Sequence, residues 1–161
     1  MSSKIQSIAT TLLRDQRITE FNKWRFENLI LKFNLDGTDL SNLNLSGALL
    51  NGVSCVGCKF SNSKLCRTNL VQSDLSKASF DKSDLNSAIM MYSDLRGCNL
   101  SHADLTRTNL MWSNLSYSDL SYCVLTRTIL VESNLSEANL TGVDMSTAFL
   151  KYAKIDNIKK A

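Results

Sequence analysis

A five-residue period runs through the sequence from residue 34 to residue 152. At the positions whose numbers are multiples of five, from 35 to 155, leucine occupies nineteen of twenty-five. Two residues before each of these positions, twenty-three of twenty-five residues are Ala, Ser, Thr, Cys or Val. A period of five matches neither the 3.6 of an α-helix nor the 2 of a β-strand. The chain is therefore predicted to turn a corner every five residues and to stack each coil on the one before.

The glycines follow the same period. All six lie two residues after a multiple of five, where a tight turn needs backbone freedom, at Gly37, Gly47, Gly52, Gly57, Gly97 and Gly142. The repeated unit resembles the A(D/N)LXX motif of the pentapeptide-repeat family, as in Ser73-Asp74-Leu75, Ala103-Asp104-Leu105 and Ala138-Asn139-Leu140. The resemblance covers roughly three quarters of the chain. It implies an all-β solenoid, a right-handed quadrilateral β-helix with four pentapeptides in each coil.

The resemblance also sets the expected size and division of the chain. We expect about six coils, and a spacing of about 4.8 Å between coils gives a stack roughly 30 Å tall. Residues 1–32 are expected to form an N-terminal helical cap, residues 33–155 the β-helix, and residues 156–161 a short basic tail. Because the tail is short, it is expected to cover the last coil poorly, which leaves that end frayed or covered by another copy.

Two short helices are predicted before the repeats. Residues 4–15 place apolar residues at helical spacing, namely Ile5, Ile8, Ala9, Leu12 and Leu13. A second helix is predicted from Thr19 to Glu27, with Thr19 as its N-cap and with Ile18, Phe21 and Trp24 facing inward. These helices are expected to cover the first coil, because the open end of a solenoid must be covered.

Charge and cysteine content bound the compartment and the partners. The repeat region, residues 35–155, carries ten Lys or Arg and eleven Asp or Glu, so it is nearly neutral. No apolar run has the length of a signal peptide or a membrane span, so a cytoplasmic protein is expected, with a secreted effector lacking a cleavable signal as the alternative. An odd number of cysteines, five, agrees with a reducing compartment.

One of the four faces differs from the others in composition. We number the faces by their inward column, and the fourth face is centred on Leu50, Leu70, Met90, Leu110, Leu130 and Leu150. Eleven of its eighteen outward positions are apolar, against five of fifty-seven on the other three faces. The eleven are Leu49, Val71, Ile89, Met91, Tyr92, Met111, Trp112, Ile129, Val131, Phe149 and Tyr152. They are predicted to form a strip about 20 Å tall and about 10 Å wide.

Three interpretations of this strip are open. A protein partner or a second copy of the chain docks there, since Trp, Tyr and Met are enriched in binding cores. Alternatively, the helix predicted at residues 4–15, about 18 Å long, folds back along this face. The third interpretation is an apolar surface that the protein tolerates.

Residues typical of catalysis and metal binding are interpreted as structural. His102 is the single histidine and has no second imidazole beside it. Cys55 and Cys58 have the spacing of a redox or zinc motif, but both lie on inward columns, so a pair of buried reduced thiols is expected.

Two columns of charged residues are interpreted in the same way. Asp74 stacks with Asp94, and Asp84 with Asp104, because Asp and Asn are the motif residues. The basic column of Arg67, Arg107 and Arg127, broken by Ser87, is interpreted as a solvated surface rather than an anion or nucleic-acid site.

The function predicted from the sequence is a non-catalytic protein-binding or scaffold module, with no cofactor and no metal. The alternative comes from the resemblance, because some pentapeptide-repeat proteins mimic DNA and bind type II topoisomerases such as gyrase. Mimicry of a duplex requires a strong negative field, and the near-neutral repeat region disfavours it.

Overall fold

The structure is a computed structural model that describes residues 2–28 and 33–160. Within these ranges, side chains are described from residue 6 onward. Helix α1 spans Ser2–Arg14 and helix α2 spans Ile18–Glu27. From residue 33 the chain winds into a four-sided solenoid that continues to residue 160. The two helices lie at the N-terminal end of the stack.

Four pentapeptides make one coil. Single-residue parallel β-bridges join positions twenty residues apart on every face, beginning with Asn34 to Ser54, Asp39 to Lys59, Asn44 to Lys64 and Leu49 to Asn69. Because the pairing distance is twenty and the repeat is five, each coil has four sides, as the resemblance to pentapeptide repeats implied. Strand pairing is confined to these isolated bridges among the described residues. The pairing reaches Lys159, beyond the boundary at residue 155 expected for the β-helix.

The inward columns form one continuous core. The large residues from Leu35 to Leu140 at the multiples of five are buried. The small residues between them bring hydroxyl groups into this core, and several of these donate to a carbonyl in the preceding coil. Thr68 Oγ1 donates to Leu45 O at 3.1 Å, and Thr108 Oγ1 donates to Leu85 O at 2.7 Å. Serine and threonine are tolerated at most small inward positions because a carbonyl accepts from the hydroxyl, either in the preceding coil or three residues earlier, as Leu110 O does from Ser113 Oγ at 2.6 Å.

Most corners use the same turn. The residue three places after an inward leucine donates back to the carbonyl of that leucine, as Thr38 N does to Leu35 O at 2.8 Å. The third residue of the turn has a positive φ, as in type II turns. Glycine holds six of these positive-φ positions, and residues with side chains, such as Arg67, Trp112 and Tyr152, hold the rest.

The N-terminal cap packs on the first coil through aromatic contacts. Phe21 and Trp24 of α2 meet the ring of Phe33 edge-on, at centroid distances of 6.1 and 5.8 Å. Ala9 and Leu13 of α1 are buried in the same core. The predicted inward positions of α2 are therefore confirmed.

Three details of the predicted helices were wrong or lie outside the described residues. Helix α2 begins at Ile18, and its N-cap is Arg17 rather than Thr19, without a side-chain cap. Arg17 instead pairs with Glu20, which holds the first turn by an ion pair. Ile8, expected on the apolar stripe of α1, is exposed, since the packing uses Ala9 and Leu13. The side chain of Ile5 lies outside the described residues.

Polar side chains of the cap satisfy the open backbone edge of the first coil. The amide of Asn22 donates to Gly47 O and accepts from Leu49 N, both at 2.9 Å. Gln16 accepts from Asn44 N at 2.9 Å. Because no coil precedes the first one, these backbone groups would otherwise be unpaired. The cap therefore ends the sheet edge as well as covering the core.

The far end of the stack is more open. The last inward position, Ile155, is 45% exposed, and Met145 and Leu150 are half-buried.

The structure joins Cys55 and Cys58 in a disulfide, which overturns the expectation of two reduced thiols. Both side chains point into the coil from either side of one corner, with their Cα atoms 5.3 Å apart, a separation that a disulfide spans.

Candidate functional site

The eleven apolar side chains predicted on the fourth face all reach the surface of the structure. We name this set the apolar strip, and its members are Leu49, Val71, Ile89, Met91, Tyr92, Met111, Trp112, Ile129, Val131, Phe149 and Tyr152. Five of them have between 40% and 73% of their surface exposed, namely Ile89, Tyr92, Trp112, Phe149 and Tyr152. The other six are half-buried. Each of the six coils contributes at least one member of the strip.

Backbone pairing fixes the vertical register of the strip. Leu49, Ile89 and Ile129 alternate in one bridged column with Asn69 and Asn109. The two asparagine side chains fold back and accept from the backbone amide two residues on, at 3.1 Å in each case. Because their amide oxygens are used in this way, the outer surface of the column is left to its apolar members.

Aromatic residues form one margin of the strip, at the turn between the fourth and first faces. The rings of Tyr92 and Trp112 stack with a centroid distance of 4.7 Å and an interplanar angle of 12°. Tyr152 lies in the same column two coils further on, and the ammonium of Lys151 lies 5.0 Å from its ring centroid. The only charged residues at the outward positions of this face are Lys151 and Glu132.

The N-terminal helix does not cover this strip. Its buried residues, Ala9 and Leu13, belong to the contact with the end of the stack, and the hydrogen bonds of α2 to the fourth face come from Asn22 and Arg25 among the described residues. These contacts involve the first coil, while the exposed aromatic residues lie on later coils. The interpretation in which residues 4–15 fold back along the fourth face is therefore wrong.

The histidine and the aspartates considered as catalytic or metal-binding residues lie outside the strip. His102 stacks on Tyr122 of the second face at 5.2 Å. The aspartates of the two columns accept from backbone amides two residues on, as Asp84 does from Asn86 N at 3.0 Å and Asp104 from Thr106 N at 2.9 Å. These aspartates act as turn residues, and the described residues contain no group of three or more metal-ligating side chains.

Two of the free cysteines in the described part of the chain, Cys98 and Cys123, are buried, and the basic column is exposed. Burial raises the pKa of Cys98 and of Cys123 to about 12, so both stay protonated and unreactive at neutral pH. Arg67, Arg107 and Arg127 are exposed on the third face. Neither helix of the described chain is long and apolar enough to cross a membrane.

Sequence reasoning missed a groove at the margin of the strip. It has a volume of about 550 Å³ and is lined by Trp112, Ser113, Asn114, Glu132, Ser133, Asn134, Tyr152 and Lys154. The signal was present in the sequence, because reading every twentieth residue from Tyr92 gives Tyr, Trp, Glu and Tyr. Glu132 therefore interrupts the aromatic residues in the last four coils of this column.

A family model describes the repeats found here. The model for pentapeptide repeats matches eight copies, over residues 32–65, 54–91, 93–130 and 108–146. The chain belongs to the pentapeptide-repeat family. Pentapeptide repeat proteins adopt a right-handed quadrilateral β-helix. The β-bridges between residues twenty positions apart agree with this fold.

Solved structures support the same fold. A pentapeptide repeat protein from the thylakoid lumen of Arabidopsis thaliana is 31% identical, with 65% of this chain and 69% of that one covered and a TM-score of 0.51. QnrB1, a plasmid-mediated fluoroquinolone resistance protein, is 18% identical over 81% of this chain and 82% of its own, with a TM-score of 0.54. At 18% identity the second likeness shows the fold alone. None of the curated proteins matches the chain.

Proposed function

We propose that this pentapeptide-repeat protein is a non-catalytic binding module that docks a protein, either a partner or a second copy, on the apolar strip of its fourth face. The observation that carries the proposal is the exposure of Trp112, Tyr92 and Ile89 side by side on one rigid face. An apolar patch of this extent on a soluble surface is typical of an interaction site. Tryptophan and tyrosine are also the residues that contribute most at the centres of protein interfaces.

The backbone beneath the strip fixes where its aromatic side chains leave the solenoid. Tyr92, Trp112 and Tyr152 all lie at the turn position with positive φ, at 58°, 58° and 62°. Glycine adopts this conformation without the cost of about 1 to 2 kcal/mol that a side chain adds. The fold places glycine at the equivalent position in the first coil, Gly52. The other faces have the same turn, with side-chain residues such as Arg67 at this position, so the aromatic content and not the backbone distinguishes the fourth face.

Paired variants test the proposal. The double variant Met111→Glu with Trp112→Glu places two charges in the middle of the strip, and Val124→Glu places one on the third face as a matched control. Light scattering measures the mass of each protein in solution, and affinity capture from the producing cells compares the proteins they retain. Loss of a dimer or of a discrete captured protein in the double variant alone supports the proposal. Equal behaviour of the two variants contradicts it.

A third variant separates binding from folding. Trp112→Gly removes the ring and relieves the positive-φ strain, although it loses the stack with Tyr92. These effects oppose each other, so its free energy of unfolding should stay within about 1 kcal/mol of the parent. Binding should nevertheless be lost.

A cytoplasmic location is part of the same proposal and rests on the odd number of cysteines in the sequence, five. The Cys55–Cys58 disulfide is a feature more typical of oxidising compartments, so the compartment needs its own test. Fractionation of the native cell tests the location, and recovery of the protein outside the cytoplasmic fraction would contradict it.

A gyrase-binding role has less support. The repeat region is nearly neutral, and the likeness to QnrB1 shows the fold alone.

A further inference from the structure

The last four positions of the column at the margin of the strip are aromatic with one gap, whereas the first two are Gly52 and Gln72. Positions 92, 112, 132 and 152 stand on successive coils and share φ values of 58°, 58°, 55° and 62°. Since their backbones are equivalent, their side chains leave the solenoid in the same way. Tyrosine, tryptophan and tyrosine hold three of the positions, and Glu132 holds the third in the series. The column therefore has a carboxylate where a fourth ring would stand.

The groove described above opens at this gap. Trp112 and Tyr152 both line it, and Glu132 lies on the coil between them. Adjacent rings of the column stack at 4.7 Å, as Tyr92 and Trp112 show. Two coil steps separate Trp112 from Tyr152, or about 10 Å. A planar group on the coil of Glu132 would then lie about 5 Å from each ring, within the range of aromatic and cation–π contacts.

The carboxylate of Glu132 determines which kind of planar group the gap favours. The Glu132 side chain is exposed, and among the described residues no hydrogen bond or ion pair engages its carboxylate. A cation already lies over one ring of the column, since Lys151 Nζ is 5.0 Å from the Tyr152 centroid. Lys154 lines the groove and Lys151 lies next to Tyr152, and both repel a cationic ligand. A cationic ligand therefore needs stacking and hydrogen bonds in addition to its attraction to Glu132.

We infer that this gap, named the arginine slot, takes the guanidinium of an arginine side chain presented by a protein partner. A guanidinium is planar, so it can stack on Trp112 and Tyr152 at once. It can also donate two parallel hydrogen bonds to the Glu132 carboxylate. The ammonium of a lysine offers neither the flat surface nor the paired donors. The inference rests on the proposed function, because it specifies what the docked protein inserts at the margin of the strip.

Intrinsic fluorescence provides a direct test. The chain has two tryptophans, so Trp24→Phe leaves Trp112 as the single reporter at the slot. The probes are the N-acetyl amides of arginine, of citrulline and of lysine, titrated into the full chain. Citrulline has the shape of arginine without its charge. We expect a saturable change in Trp112 emission with the arginine probe, at a roughly millimolar dissociation constant, and severalfold weaker responses to the other two.

Matched variants assign the response to the slot. Glu132→Gln should weaken the arginine probe about threefold, as expected for an exposed ion pair. Glu137→Gln alters a glutamate at the equivalent turn position of the first face and should leave the response unchanged. An unsaturable response, equal binding of citrulline, or an unchanged dissociation constant in Glu132→Gln overturns the inference.

The experiments test the proposed function and the arginine slot independently of each other. If Met111→Glu with Trp112→Glu abolishes docking while Glu132→Gln leaves both docking and the probe response unaltered, the slot is wrong and the proposed function stands. If that double variant leaves docking unchanged, the proposed function itself is wrong, whatever the probe shows.

Discussion

Asn22 is predicted to be a main determinant of how the solenoid ends at its N-terminal side. Its amide forms two hydrogen bonds with the first coil, to Gly47 O and from Leu49 N, both at 2.9 Å. The change Asn22→Ala removes both bonds and leaves a carbonyl and an N–H without a partner in a half-buried place. One such bond contributes about 1 kcal/mol, and an unpaired group adds a desolvation cost, so we expect a loss of about 2 kcal/mol in the free energy of unfolding.

Urea unfolding followed by circular dichroism measures this loss, with Lys23→Ala as the matched control on the exposed side of the same helix. Asn22→Asp keeps the acceptor for Leu49 and loses the donor for Gly47, so its stability should fall between the parent and Asn22→Ala. Hydrogen exchange adds a local measurement, because the amide of Leu49 should exchange faster in Asn22→Ala. The reasoning is refuted if Asn22→Ala is as stable as Lys23→Ala and the exchange of Leu49 is unchanged.

Three further predictions use matched positions within the repeats. Both Gly142 and Gly52 have φ of +69°, but an added Cβ at Gly142 would lie 2.5 Å from a tyrosine ring, whereas at Gly52 it meets nothing within 4 Å. Gly142→Ala should therefore destabilise by about 1 kcal/mol more than Gly52→Ala in thermal melts, and equal losses would contradict this packing. The buried hydroxyl of Ser83 has no acceptor among the described residues, whereas Ser63 donates to a carbonyl at 2.7 Å. Ser83→Ala should raise the free energy of unfolding by about 1 kcal/mol and Ser63→Ala should lower it by about 1 kcal/mol, so the same sign for both would be inconsistent with this assignment. Iodoacetamide should alkylate the native protein at Cys66 well before the two buried free thiols, and mass spectrometry showing comparable rates would disprove their burial.

The period of the sequence predicts a stacked solenoid with a corner every five residues. The coil of twenty residues was implied by the resemblance to pentapeptide repeats, and the bridges from Asn34 to Ser54 onward confirm it. The same arithmetic brings Ile89 and Ile129 into one column, so the strip itself was predictable. Whether a protein docks there stays a prediction.

Contacts between distant residues were not predictable in this way. Asn22 and Leu49 are twenty-seven positions apart, and no periodic pattern connects a helix to the coil that it ends. The start of α2 at Ile18 was missed because an ion pair replaces the expected cap. The Cys55–Cys58 disulfide depends on how two inward side chains meet across one corner, which residue spacing alone does not determine.

Site-specific photo-crosslinking tests most directly whether the apolar strip is an interaction surface. A benzophenone amino acid replaces Val131 within the strip in one protein and Val124, exposed on the third face, in the other. On irradiation in the producing cells, the label at Val131 should give one discrete adduct, of twice the chain mass for a second copy or another single mass for a partner. The label at Val124 should give none. Equal adducts from both positions, or none from Val131, would contradict the role given to this face.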